Sequence, residues 1–123
     1  MSGLFLGGSV SLPAPITVNT NWATDSVVHP TSKTSTVTGT LTVPASNTGG
    51  IDITFTNTSG GTAQYIFNAG SATTLVSGTN FAAATSDTWQ FRLLTPSSAG
   101  TFAVTVTDHI NNVTVGTWTL TVT

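Results

Sequence analysis

The chain contains no cysteine and no glutamate, and charged side chains make up only 5% of its 123 residues. The missing cysteines exclude disulfides and thiolate metal centres, and they leave the redox compartment undetermined. The charged residues are Asp25, Asp52, Asp87 and Asp108 against Lys33 and Arg92, a formal net charge of −2. A protein that grips nucleic acid through its phosphates needs a basic patch, which two separated cations cannot make. Nucleic acid is therefore not an expected partner. No run approaches the ~18–20 apolar residues of a membrane-spanning helix, so no membrane partner is expected either. The opening stretch from Met1 to Val10 is apolar but carries no Lys or Arg, and a secretory signal needs a positive region before its apolar one.

What is there instead is hydroxyl and amide. An average soluble domain has about 25% charged residues; here Thr, Ser, Asn and Gly take that place, with 28 Thr alone. Disorder is not expected, because disordered chains combine low hydrophobicity with high charge, and this one is 38% hydrophobic with three Trp and six Phe. So little charge gives a free monomer weak colloidal repulsion. Two readings follow. Either partners cover much of the surface, or it is an uncharged hydroxyl-rich coat of the kind found on extracellular and virion β-proteins.

Residues 1–24 carry no charge, and Gly3, Gly7, Gly8, Pro13 and Pro15 interrupt regular structure there. They read as an N-terminal arm leading into a possible first strand near Ile16–Val18. Leu4, Phe5, Leu6 and Val10 are the arm's apolar residues. Two roles are open: the arm packs on another subunit, or it is an N-terminal strand of its own domain. Residues 25–123 read as one domain of ordinary size.

In that domain the apolar period is two. Val37, Leu41 and Val43 alternate with Thr; so do Ile51, Ile53 and Phe55, with Asp52, Thr54 and Thr56 between and after them. Tyr65 and Phe67 flank Ile66, and Trp89, Phe91 and Leu93 alternate with Gln90 and Arg92. Phe102, Val104 and Val106 alternate with Ala103, Thr105 and Thr107. This is the pattern of strands with one buried and one wet face. In the last run the phase changes: Val113 and Val115 are odd, Trp118, Leu120 and Val122 even. A β-bulge or bend at Gly116 is predicted, returning both sets to the core. Turns are expected at 44–50, 57–61, 68–71, 77–80, 95–100 and 108–112. Short strands at this spacing predict an all-β sandwich of about 7–9 antiparallel strands.

The segment Ser98-Ala99-Gly100-Thr101-Phe102-Ala103-Val104-Thr105-Val106-Thr107-Asp108 resembles the penultimate strand of immunoglobulin-like domains of bacterial surface and tailed-phage virion proteins, which often read Gly-Thr-Tyr-x-Val-x-Val-x-Asp. With the run Val113–Thr123 it covers roughly the last 26 residues. The resemblance implies an immunoglobulin-like fold and little about function, because that fold hosts many roles. Phe102 stands where the family often has a tyrosine whose hydroxyl bonds back to the chain, so that bond is not available here.

Catalytic chemistry has few candidates. Nucleophile–base catalysis needs a base beside Ser, Thr or Cys, and only His29 and His109 could serve. His109 follows Asp108 in a turn and reads as a solvated turn residue. Glycosidase chemistry needs two converging carboxylates, and the four Asp form no motif. Asp108, Asn111 and Asn112 are the best cluster for a cation, but local turn hydrogen bonds explain them more simply. No cofactor, metal site or catalytic residue is expected. Trp89 and Trp118 lie on inward parity. Trp22, in a segment without alternation, could cap the open end of the sandwich, anchor an interface or stack on a sugar.

The expected function is a structural virion protein, a capsid decoration, cement or fibre component of a tailed bacteriophage. It would be a homo-oligomer bound to the major capsid protein or a tail component, held by Leu4, Phe5, Leu6, Val10 and Trp22. The alternatives are a carbohydrate-binding or adhesin module, on a virion or a bacterial surface, and a small β-sandwich hydrolase.

Overall fold

The computed structural model describes residues 11–36 and 38–123. Every regular element in them is a strand. In chain order these are β1 (Thr17–Val18), β2 (Asp25–Val27), β3 (Lys33–Thr34), β4 (Gly39–Thr42), β5 (Ile51–Asn57), β6 (Thr62–Phe67), β7 (Thr73–Thr74), β8 (Thr79–Phe81), β9 (Thr88–Leu94), β10 (Gly100–Asp108) and β11 (Val113–Val122). They form two sheets. One runs β1-β4-β9-β6-β7, with β3 also paired to β9; the other runs β2-β11-β10-β5-β8. The orders β1-β4-β9-β6 and β11-β10-β5 are the four-plus-three arrangement of an immunoglobulin constant-type sandwich.

The strand count exceeds the expected 7–9 for two reasons. Short edge strands, β2 beside β11 and β8 beside β5, extend the second sheet. In addition, β3 and β4 are two parts of one interrupted strand. Thr34 faces Arg92 and Gly39 faces Trp89, so a five-residue step on one side spans a three-residue step on the other. Ser35 sits at the interruption, where its amide donates to Phe91 O and its hydroxyl accepts from Phe91 N. The sheets are not wholly antiparallel, since β2 runs parallel to β11. The turn expected at 77–80 is in part strand: Thr79–Phe81 pairs with Ile51–Ile53.

Period-two alternation fills the space between the sheets. Ile51, Ile53, Trp89, Phe91, Leu93, Phe102, Val104, Val106, Trp118, Leu120 and Val122 are all buried, as are Ile16 and Trp22. The sandwich therefore takes in the chain from Ile16 onward. Phe102 packs edge-on against Trp118 and Phe55, with ring centroids 5.5 and 5.8 Å away; aromatic packing occupies the place of the absent tyrosine bond. The predicted bulge is present. Val106 pairs with Gly116 and Thr107 with Thr114, which leaves Val115 as the extra residue. It rescues only part of the odd set: Val115 packs against the core, whereas Val113 stays 44% exposed at the hairpin end.

Candidate functional site

A two-sheet sandwich has two lateral openings, and here they differ. At the β1/β2 side, Trp22 fills the opening. Its ring lies against Gly39 of β4 and Gly116 of β11, one from each sheet. A Cβ built at Gly39 would come within 2.4 Å of Trp22 Cζ2, and one at Gly116 within 2.7 Å of Cζ3. The slot thus needs glycine on both walls. The Trp22 indole N–H donates to Trp89 O at 2.8 Å, and its ring tilts on Phe91 at 5.1 Å. Trp22 is 4% exposed, so within one chain it caps the opening and offers no face to a sugar or a partner.

At the β7/β8 side the opening is lined by aromatics. Tyr65 and Phe67 come from β6, Phe81 from β8 and Trp89 from β9. Ring centroids are 5.1 Å apart for Tyr65–Phe81, 5.4 Å for Tyr65–Trp89, 4.9 Å for Phe67–Trp89 and 5.1 Å for Phe81–Trp89. With Ala82 these residues enclose a mostly apolar pocket of about 120 Å³. Phe67, at its rim, is 38% exposed. Trp89 is buried, and its indole N–H has no acceptor among the described residues. Leaving such a donor unpaired costs about 1–3 kcal/mol. The alternation of β6 marks Tyr65 and Phe67 as one face, but not that Phe81 would join them. That contact depends on the β5–β8 pairing, for which the three-residue β8 carries no pattern.

All four carboxylates are engaged by groups of their own chain. Asp25 accepts from Trp118 Nε1 at 3.3 Å and pairs with Lys33 Nζ at 3.4 Å. Asp87 accepts from Ala84 N and Asn68 Nδ2. Asp108 is fully buried; its Oδ2 accepts from Ile16 N at 2.8 Å, Asn47 Nδ2 at 2.9 Å and Asn111 Nδ2 at 3.2 Å, and its Oδ1 from Asn111 N at 3.0 Å. Burial opposes its ionisation, but these N–H groups outweigh it and hold the pKa below the ordinary 3.8. The Asp108–Asn111 pair is thus a turn that also ties down the incoming chain at Ile16 and the 44–50 loop at Asn47. Among the described residues, no three His or Asp side chains gather as metal ligands.

His109 does not meet its neighbour Asp108. Its Nδ1 lies 2.8 Å from Asp52 Oδ2, across the β5–β10 pair. Asn80 Nδ2 donates to the other oxygen at 2.8 Å. Burial again opposes ionisation of Asp52, and the bonds from His109 and Asn80 with the charge of His109 outweigh it, so its pKa is lowered. This pair stands on the outer face of β5, whose Ile51 and Ile53 point inward, and neither residue lines the aromatic pocket. His29 Nδ1 donates to Thr123 O at 2.7 Å.

Leu4, Phe5, Leu6 and Val10 lie outside the described residues, as does Val37. No protein-family model and no curated protein matches the chain.

Proposed function

We propose that this domain is a structural module of a virion, a decoration, cement or fibre component of a tailed bacteriophage, which assembles with copies of itself and with capsid or tail proteins through apolar and hydrogen-bonding contacts. The observation that carries this reading is how little unengaged charge the surface offers. Each of the four Asp carboxylates already accepts hydrogen bonds from its own chain, and Lys33 is paired to Asp25. What remains outside is largely Thr, Ser and Asn. Such a surface has little means of long-range electrostatic steering. It suits contacts made once and kept, where partner surfaces meet through hydroxyls and scattered apolar side chains such as Leu12, Val28 and Val76, each more than 60% exposed.

The test is the native mass of the purified chain by light scattering across a concentration series. The reading expects an oligomer. A monomer at every concentration, with no binding to phage particles, would remove its support. A carbohydrate-binding role is favoured by one observation, the half-exposed Phe67 beside Tyr65. It expects glycan binding that is lost on Phe67→Ala.

A further inference from the structure

We infer that the pocket between β6, β8 and β9 is a binding site for a small uncharged apolar molecule, with a single aromatic ring as the best-fitting class. The inference goes beyond the assembly reading and does not depend on it. Size sets the class first. The pocket measures about 120 Å³, and an apolar cavity of ~150 Å³ takes up benzene. Pockets for drug-sized ligands run to ~300–1,000 Å³, so a larger molecule would seat only one end here. The lining then sets the chemistry. It is Tyr65, Phe67, Phe81 and Trp89 with Ala82, and no charged or amide side chain is among them. A cation entering it would lose water with no carboxylate to replace it, and a sugar would lose water from hydroxyls that find few partners. Both losses are costly. A hydrocarbon ring has no such loss, and it gains offset or edge-to-face contacts of the kind the lining rings already make with one another.

The fold itself holds the pocket in shape. Trp89 is its floor, since its ring packs against those of Tyr65, Phe67 and Phe81. Trp89 stands within the sheet, paired with Phe67 on one side and Gly39 on the other, and its carbonyl accepts the Trp22 indole N–H. The wall that carries Phe81 is the three-residue β8, which Asn80 ties down. Its Nδ2 lies 2.8 Å from Asp52 Oδ1 and 3.2 Å from both Ile51 O and Gly49 O. The rim is open to solvent, because Phe67 and Ala82 are exposed. A ligand thus meets walls already in place and has little ordering to offset.

The test is a titration of the full chain with benzene, followed by saturation-transfer NMR and by thermal unfolding. The expected result is saturable binding with a Kd of about 1 mM or tighter, and a Tm that rises with benzene concentration. Ala82→Trp puts an indole over the mouth and should weaken binding roughly tenfold or more. Val28→Trp, the same side chain at an exposed position after β2, should leave it unchanged. Phe67→Ala removes the rim and should weaken binding by about threefold or more; it carries the test if Ala82→Trp does not fold. No saturable benzene binding to the unaltered chain, or equal affinity in all variants, would overturn the proposal. So would tetramethylammonium or methyl glucoside binding more tightly than benzene, which would assign the pocket to a cation or to a sugar. Light scattering decides the assembly reading separately, and neither result determines the other.

Discussion

The two lateral openings of the sandwich are each closed or lined by a tryptophan, and the two indoles are in opposite states. Trp22 is inserted, flanked by Gly39 and Gly116, with its N–H on Trp89 O. Trp89 is buried with its N–H unpaired, beside a pocket that the described residues leave empty. The first opening is finished by its own chain and contributes stability. The second keeps an apolar pocket, and the indole donor buried beside it finds no acceptor among the described residues. The two edges thus differ in closure: a ring fills the β1/β2 side, and aromatic side chains line a pocket at the β7/β8 side.

The comparison can be broken most forcefully at the closed edge. Trp22→Ala removes a ring packed on both sheets and should cost about 3–5 kcal/mol, read as a lower urea midpoint with unchanged slope. A loss below about 1 kcal/mol would mean that the plug is dispensable. Gly39→Val asks the same from the wall, because its first carbon already meets the ring. It should be destabilising by about 1–3 kcal/mol or more.

Next in size is the tie at Asp108. Asp108→Asn replaces a charged acceptor of four N–H bonds and should cost about 1.5–3 kcal/mol. It also carries a pH signature. The Asp108 and Asp52 pKa values are lowered on folding, so the unfolded chain binds more protons in acid. Their contribution is fully present above the unfolded value near 3.8 and is lost as pH falls through the lower native values. Unfolding midpoints should therefore stay flat with respect to these groups at neutral pH and drop below about pH 4. In Asp108→Asn the drop should be shallower. An identical acid slope would contradict the assignment.

At the open edge the expected effect on the isolated domain is smaller. Phe67→Ala removes a partly exposed ring and should cost about 0.5–1.5 kcal/mol. Smallest is Lys33→Ala. The Lys33–Asp25 pair at 3.4 Å is partly exposed, so its loss should change stability by under about 1 kcal/mol.

How much of this was legible in the sequence depended on pattern length. Runs such as Ile51–Asn57, Thr88–Leu94 and Gly100–Asp108 are long enough for alternation to name both the strand and its inward face. The phase change at Gly116 located the bulge, because two buried parities cannot share one flat strand. It did not foretell that Val113 would stay out, since that depends on where the hairpin ends. Two- and three-residue strands such as β2, β3, β7 and β8 have no period to read. The Trp22 slot had its signal in two glycines distant in sequence, Gly39 and Gly116, that only the sheet pairing brings to one ring. The His109–Asp52 pair was missed for a similar reason: its partner lies across the β5–β10 ladder, not beside it in the chain. Because Ile16 and Trp22 belong to the core, an arm deletion that tests assembly must stop before them, at residue 10.

The most direct measurement of the central claim is a benzene titration followed through the indole N–H signals in nitrogen-15 NMR spectra, assigned with Trp22→Phe and Trp118→Phe variants. The account predicts that the Trp89 signal, beside the aromatic pocket, shifts saturably, while that of Trp22, bonded to Trp89 O in a filled slot, stays unmoved. A Trp89 signal that does not respond, or a Trp22 signal that moves instead, would contradict the difference between the two edges.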